Sequence, residues 1–153
     1  MAEQTKKNNI IFMAGKEKAL EKIFNSSNFG YLAVGYYANA SDTNGFINPD
    51  SEEGALDNGF YEISRTQSTT YERVPLSFHS IVDKDIDNGK ITAKFTAELD
   101  LDNIIEDIPI NQIAIVDNAS AEDASTTFFA ASVTEEFYKN EKLALVFVIE
   151  VTM

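Results

Sequence analysis

The chain reads as a mainly β protein, an antiparallel β-sandwich with one short N-terminal helix, and three observations carry that expectation. Residues 91–99 alternate strictly, with Ile91, Ala93, Phe95, Ala97 and Leu99 on one side and Thr92, Lys94, Thr96 and Glu98 on the other. The end of the chain, residues 142–153, is a second β-prone run, apolar on both sides over most of its length. Between the helix and the end, short extended runs are separated by turn residues roughly every ten positions, without the βα alternation of a nucleotide-binding sheet.

Taken in order, residues 1–9 are polar and 1–12 predict a flexible N-terminal arm, ahead of a single domain over 13–153. Its apolar part is too short for a signal-peptide core or a membrane span, so the sequence predicts synthesis in the cytosol and no membrane partner. Residues 13–24 predict a helix whose stripe is Ala19, Leu20, Ile23 and Phe24, with Lys16, Glu17, Lys18, Glu21 and Lys22 toward water. Three turns cannot stand alone, so that stripe must lie on the sheet. Residues 29–37 predict a strand, and Gly30 and Gly35 within it mark a bend or a close backbone approach.

From 38 to 59 the chain is a long acidic loop with no periodic pattern, the length at which loops tend to engage partners. Residues 60–71 read as a strand or a short helix followed by an irregular run, and 73–82 as extended, with Pro75 marking an edge or a strand start. Asp83 to Gly89 predicts a turn. Residues 111–117 and 126–133 predict strands, 100–110 and 118–125 polar connections, and 135–140 a turn or a single helical turn. The terminal run closes the list: Leu143, Leu145, Phe147, Ile149 and Val151 fall on one side, Ala144, Val146 and Val148 on the other. A strand of that kind predicts a central element covered on both faces, by the domain itself or by a neighbouring subunit.

Composition narrows the function. At 153 residues the chain can bury a full core. Its formal net charge of -13, from 25 acidic against 12 basic residues, repels a phosphate backbone, so no nucleic-acid partner is expected. Without cysteine there is no disulfide framework and no thiolate metal site. The single histidine, His79, sits in a strand-like run and lacks the second histidine or cysteine that an ordinary zinc site needs. No Gly-x-Ser-x-Gly elbow accompanies it either. The most metal-like stretch is Asp83-x-Asp85-x-Asp87-Asn-Gly89, whose alternate oxygens suit Ca²⁺. Its glycine falls one place late for a calcium loop, and Asp87-Asn-Gly-Lys90 is a hairpin turn in its own right. The turn is the favoured reading, and Asp83, Asp85 and Asp87 are a weak cation candidate only. Paired carboxylates are too plentiful for any one pair to mark a general acid and base. No cofactor, no catalytic residue and no enzymatic activity are expected. Tyr36, Tyr37, Phe60 and Tyr61 flank the long loop, and with Val146 and Val148 they are the candidate interface residues.

The order of the motifs is similar to that of a known module. Phe29-Gly-Tyr-Leu-Ala-Val-Gly35, Glu72-Arg-Val-Pro75, the alternating strand 91–99, Ile110-Asn-Gln-Ile-Ala-Ile-Val-Asp117, Phe128-Phe-Ala-Ala131 and a final apolar strand follow one another. Together they resemble a β-rich structural module of tailed-bacteriophage virion proteins, of the tail-fibre, collar and baseplate kind. Where such modules favour Glu and Gly, this chain has Gln112 and Ala114. The resemblance implies a structural subunit of the virion, assembled in the host cytoplasm. Its partners would be copies of itself and other virion structural proteins. The alternatives are a capsid decoration protein, or a glycan- or Ca-dependent binding module.

Overall fold

The computed structural model describes residues 12–24, 28–38, 59–121 and 125–153. The arm 1–12, apart from Phe12, and the acidic loop 38–59, apart from its two ends, lie outside the described residues. In chain order the elements are α1 (Met13–Ile23), β1 (Tyr31–Gly35), β2 (Val74–Pro75), β3 (Ser77–Asp85), β4 (Lys90–Leu99), β5 (Glu106–Val116), β6 (Phe128–Asn140) and β7 (Leu145–Thr152). The strands form two antiparallel sheets, one in the order β2-β1-β5-β6 and one in the order β3-β4-β7, packed face to face with the short helix beside them.

The alternating strand is the keel of the smaller sheet. β4 pairs with β3 on one side and with β7 on the other, and its Ile91, Ala93, Phe95, Ala97 and Leu99 are all buried. Opposite them, Leu32, Val34 and Ile110 of the larger sheet complete the central core with Ile63, Tyr71 and Ile104 from connecting segments. The helix closes one end. Leu20 and Phe24 pack with Ile91, Ala93, Phe95 and Ile115, and the Phe24 ring lies 4.5 Å from Phe95 and 4.9 Å from Phe129. Ala19, expected in the buried stripe, is exposed, because the helix touches the sandwich along a narrow strip. Lys16 donates to the carbonyl of Gly89 and Glu17 pairs with Lys84, which fixes the helix to the β3–β4 hairpin.

Several local readings change. Residues 83–85, read with the turn, end β3, and 106–110, read with the polar connection, open β5. Residues 135–140 are not a turn but the second half of β6, because β5 offers a ladder from Glu106 to Ile110 that overrides their polar composition. Residues 73–82 are two strands in different sheets, and the chain crosses between them at Leu76, directly after Pro75. Residues 60–71 are irregular apart from one bridge, Glu62 to Gly35. The expectation for Gly35 holds in its second form. A side chain there would put Cβ 2.4 Å from the carbonyl oxygen of Tyr61, so only glycine lets the returning chain cross β1 so closely.

The terminal strand departs most from its reading. β7 is an edge, with β4 its one described neighbour. Leu145, Phe147, Ile149 and Val151 turn inward and are half-buried, while Val146 is 64% exposed and Val148 56% exposed. The expected cover on its second face is not supplied by the described residues.

Candidate functional site: the open side between two sheet edges

A two-sheet sandwich has four edges, and three of these are blunted. β2 is two residues long and carries Pro75, which has no N–H to offer. β3 has register shifts at Phe78/Ser80 and Ile81/Asp83, and presents Asp83, Lys84 and Asp85. β6 carries the extra residues at two of its breaks with β5, around Phe129 and around 134–136, where Glu135 and Glu136 lie. Bulges, proline and charge are the usual means by which a sheet edge avoids pairing with another chain.

β7 has neither bulge nor proline and carries one charged residue, Glu150. It keeps an unbroken register with β4 through all eight pairs, from Thr92↔Thr152 to Leu99↔Leu145. Beyond its end, Ile91 and Met153 exchange both backbone hydrogen bonds at 2.9 Å. Because an antiparallel ladder alternates, the odd-numbered residues of β7 turn their N–H and C=O toward β4. Val146, Val148, Glu150 and Thr152 therefore turn theirs outward. The result is a straight run of donors and acceptors without a strand partner among the described residues, flanked by two exposed valines and a single acidic residue.

Beside this edge the sandwich is open. β6 and β7 are consecutive in the chain but belong to different sheets. Above, Phe137 and Phe147 meet with ring centroids 6.0 Å apart, and below, Phe24 and Phe129 meet at 4.9 Å. Between those closures lies a groove of about 320 Å³, walled by Ala130, Ala131 and Ser132 of β6 and by residues 148–151 of β7, with Leu32 and residues 113–115 as its floor. Ser132 and Glu150 are the only polar side chains in that lining. Such a groove can take up apolar side chains and a strand's backbone; it does not gather groups for proton transfer.

The tyrosines lie elsewhere, on the larger sheet. Tyr37 and Tyr61 stack with centroids 5.0 Å apart, and Tyr61 is 52% exposed. Asn111 holds the Tyr37 backbone by accepting from its N–H at 2.9 Å and donating to its carbonyl at 2.8 Å. Gln112 does the same for the returning chain, accepting from Tyr61 N–H at 2.9 Å and donating to the Gly59 carbonyl at 3.0 Å. Tyr36 is bonded to Glu136, whose carboxylate pushes its phenol upward from the ordinary value. Phe60, read as an interface residue, is 3% exposed and packs with Ala33, Ala114, Val116 and Phe128, so it is occupied within the chain. The six candidate interface residues thus divide between two sheets and do not form one patch.

Asp85 spends its carboxylate on the backbone and side chain of Asn88, at 3.3 and 2.8 Å, and Asn88 holds it below its usual value. Residues 86–89 form the hairpin turn, with Gly89 at φ 64°. Among the described residues no group of three acidic or histidine side chains is placed to hold a metal. His79 is the extra residue at the first of the two register breaks in β3, and its side chain lies outside the described set.

One polar cluster went unread in the sequence. The Arg73 side chain, 1% exposed, is gripped by Glu62 at 2.7 and 2.8 Å and donates to Asn118 Oδ1 at 2.8 Å and Thr126 Oγ1 at 3.0 Å. The Tyr71 hydroxyl donates to Glu62 at 2.5 Å and accepts from Val34 N–H at 3.2 Å. Burial alone would lower the Arg73 guanidinium, but Glu62 more than offsets it, and burial drives the Tyr71 phenol well above its ordinary range. Every partner here is internal, so the cluster staples the 60–74 segment to the larger sheet and presents no open face for a substrate.

No family model matches the chain, and no curated protein and no solved structure matches it.

Proposed function

We propose that this chain is a non-enzymatic structural subunit of a tailed-bacteriophage virion, a component of the neck, tail or baseplate that works through protein–protein contacts. The observation that carries the assembly part is the undefended β7 edge beside the open groove. A chain that blunts three edges and leaves the fourth straight, apolar and unpaired among its described residues has a surface suited to another protein's strand. The virion part is supported by the motif resemblance. Its segments 29–35, 72–75, 110–117 and 128–131 lie on or directly beside β1, β2, β5 and β6, the adjacent strands of one sheet. The -13 charge suits a subunit that must stay soluble before it docks.

Particles purified by density gradient from a culture producing them, followed by quantitative mass spectrometry, test this reading. The expected result is the chain at a fixed ratio of several copies per particle. If it stays wholly in the cleared lysate while particles form normally, the virion assignment fails.

A further inference from the structure

The β3–β4 hairpin turns on an asparagine–glycine step, Asn88-Gly89, and both residues are exposed. Such a step is the least hindered place for an asparagine to lose its side-chain amide, because glycine has no Cβ to obstruct the approach of its own nitrogen. In this turn both reacting groups are engaged. Asp85 accepts from the Asn88 side chain at 2.8 Å and from its backbone N–H at 3.3 Å. The Gly89 N–H donates to the Ile86 carbonyl at 3.3 Å. Turning Cγ of Asn88 toward the Gly89 nitrogen breaks the side-chain bond, and freeing that nitrogen breaks the bond to Ile86. The same turn also holds the helix, since the Gly89 carbonyl accepts from Lys16 and the neighbouring Lys84 pairs with Glu17.

We propose that Asn88 is a site of spontaneous deamidation, that Asp85 sets its rate, and that conversion loosens α1 from the hairpin. The Gly89 nitrogen gives its proton to solvent, and its lone pair forms a bond to Asn88 Cγ. The Cγ–Nδ2 bond breaks and ammonia departs with a solvent proton, leaving a cyclic imide. Water then opens the ring. Attack at Cγ gives aspartate, and attack at the main-chain carbonyl gives isoaspartate, in which the chain runs through Cβ. One water is consumed, one ammonia is released, and nothing is oxidised or reduced. Either product sets a new carboxylate beside Asp85 in place of the donor that Asp85 had held, and like charges so close repel. Isoaspartate also adds one main-chain atom to a turn, 86–89, that the Asp85–Lys90 pair closes. The Gly89 carbonyl moves with that backbone, so its bond to Lys16 is lost with the turn.

The test incubates the full chain in mildly alkaline buffer and follows it by trypsin digestion and mass spectrometry. Asn88 is the only asparagine between Arg73 and Lys90, so the peptide ending at Lys90 reports this site apart from Asn44-Gly45 and Asn58-Gly59. The readout is the mass gain of an amide becoming an acid, with isoaspartate resolved by chromatography. The variants are Asp85→Ala and Asp87→Ala. Each removes one carboxylate from the turn, but the bonds to Asn88 belong to Asp85. Their thermal midpoints are recorded so that rates are compared between folded proteins. Asp85→Ala should convert about fivefold faster than the parent, as expected for losing an exposed charge-assisted bond, and Asp87→Ala within about twofold of it. Equal rates in the two variants overturn the role of Asp85. A folded Asp85→Ala protein that keeps Asn88 intact, while the urea-unfolded chain converts it, overturns the site itself. The isoaspartate form, separated by anion exchange, should exchange the amide hydrogens of residues 13–23 faster than the parent, as Lys16→Met should. Exchange equal to the parent's overturns the loosening of the helix.

Discussion

Replacing Arg73 with methionine is the sharpest probe of what holds the irregular 60–74 segment in place. The guanidinium is 1% exposed and its bonds run to Glu62, Asn118 and Thr126, joining the segment to the ends of β5 and β6. Methionine keeps most of the volume but removes the charge and every donor. The Glu62 carboxylate, 10% exposed, is then left with the Tyr71 hydroxyl alone. Breaking a buried pair from one side costs about 3–5 kcal/mol, since the stranded charge has neither water nor a partner. Glu62 keeps some solvent and one donor, so about 3 kcal/mol is the expected loss. With a urea m-value of about 2 kcal/mol/M for a chain of this size, the midpoint should fall by about 1.5 M. The companion is the double variant Glu62→Gln/Arg73→Met, which removes both charges and should be less destabilised than the two single losses added together, with coupling of about 2 kcal/mol. Both are read by urea titration followed by tyrosine fluorescence and far-ultraviolet circular dichroism. A loss below about 1 kcal/mol in Arg73→Met, or strict additivity in the double variant, would refute the account of Arg73 as the staple.

Other perturbations have equally definite outcomes. Gly35→Ala drives a Cβ into the Tyr61 carbonyl at 2.4 Å and should break the bonds Tyr36 N–Tyr61 O and Ile63 N–Val34 O, a loss of about 2–4 kcal/mol; a variant as stable as the parent in urea contradicts the close crossing. Phe95→Ala removes a fully buried ring that touches Phe24 and Phe78, and should cost about 3–5 kcal/mol; a loss under 1 kcal/mol by the same titration would place the core elsewhere. The hydroxyl of Ser68 is the main cause holding the Glu106 carboxyl below its ordinary 4.5. A carboxyl lowered by folding contributes stability above its unfolded value and loses it as pH falls through the folded one. The thermal midpoint should therefore decline below about pH 4.5, and less steeply in Ser68→Ala; identical acid limbs in the two proteins would dismiss that bond's role.

Much of the sandwich was legible because alternation is a local record of a global fact. Ile91 to Leu99 has one apolar and one polar face, and only a half-covered sheet explains that pattern, so β4 could be placed before any partner was known. The same locality made the helix, the Gly89 turn and the Gly35 approach readable, since each follows from spacing or backbone freedom within a few residues. Residues 135–140 failed the same test because their polar side chains carry no strand signal; β5 alone makes them extended. The left-handed backbone of Ile104, at φ 59°, was equally invisible. It is held by Thr70 Oγ1 accepting its N–H at 3.1 Å and by the buried amine of Lys139 donating to its carbonyl at 3.3 Å.

The terminal strand divides what each level decides. The pattern of residues 142–153 determined that the chain closes on a strand, Leu145–Thr152 in the structure, and predicted that Val146 and Val148 need cover. Whether that strand is central or at an edge depends on strand order, which no single segment encodes, because the neighbour of β7 is a strand about fifty residues earlier in the chain. The tertiary structure placed β7 at the rim and blunted the other three edges. An apolar pattern that looked like core thereby became a surface suited to another chain.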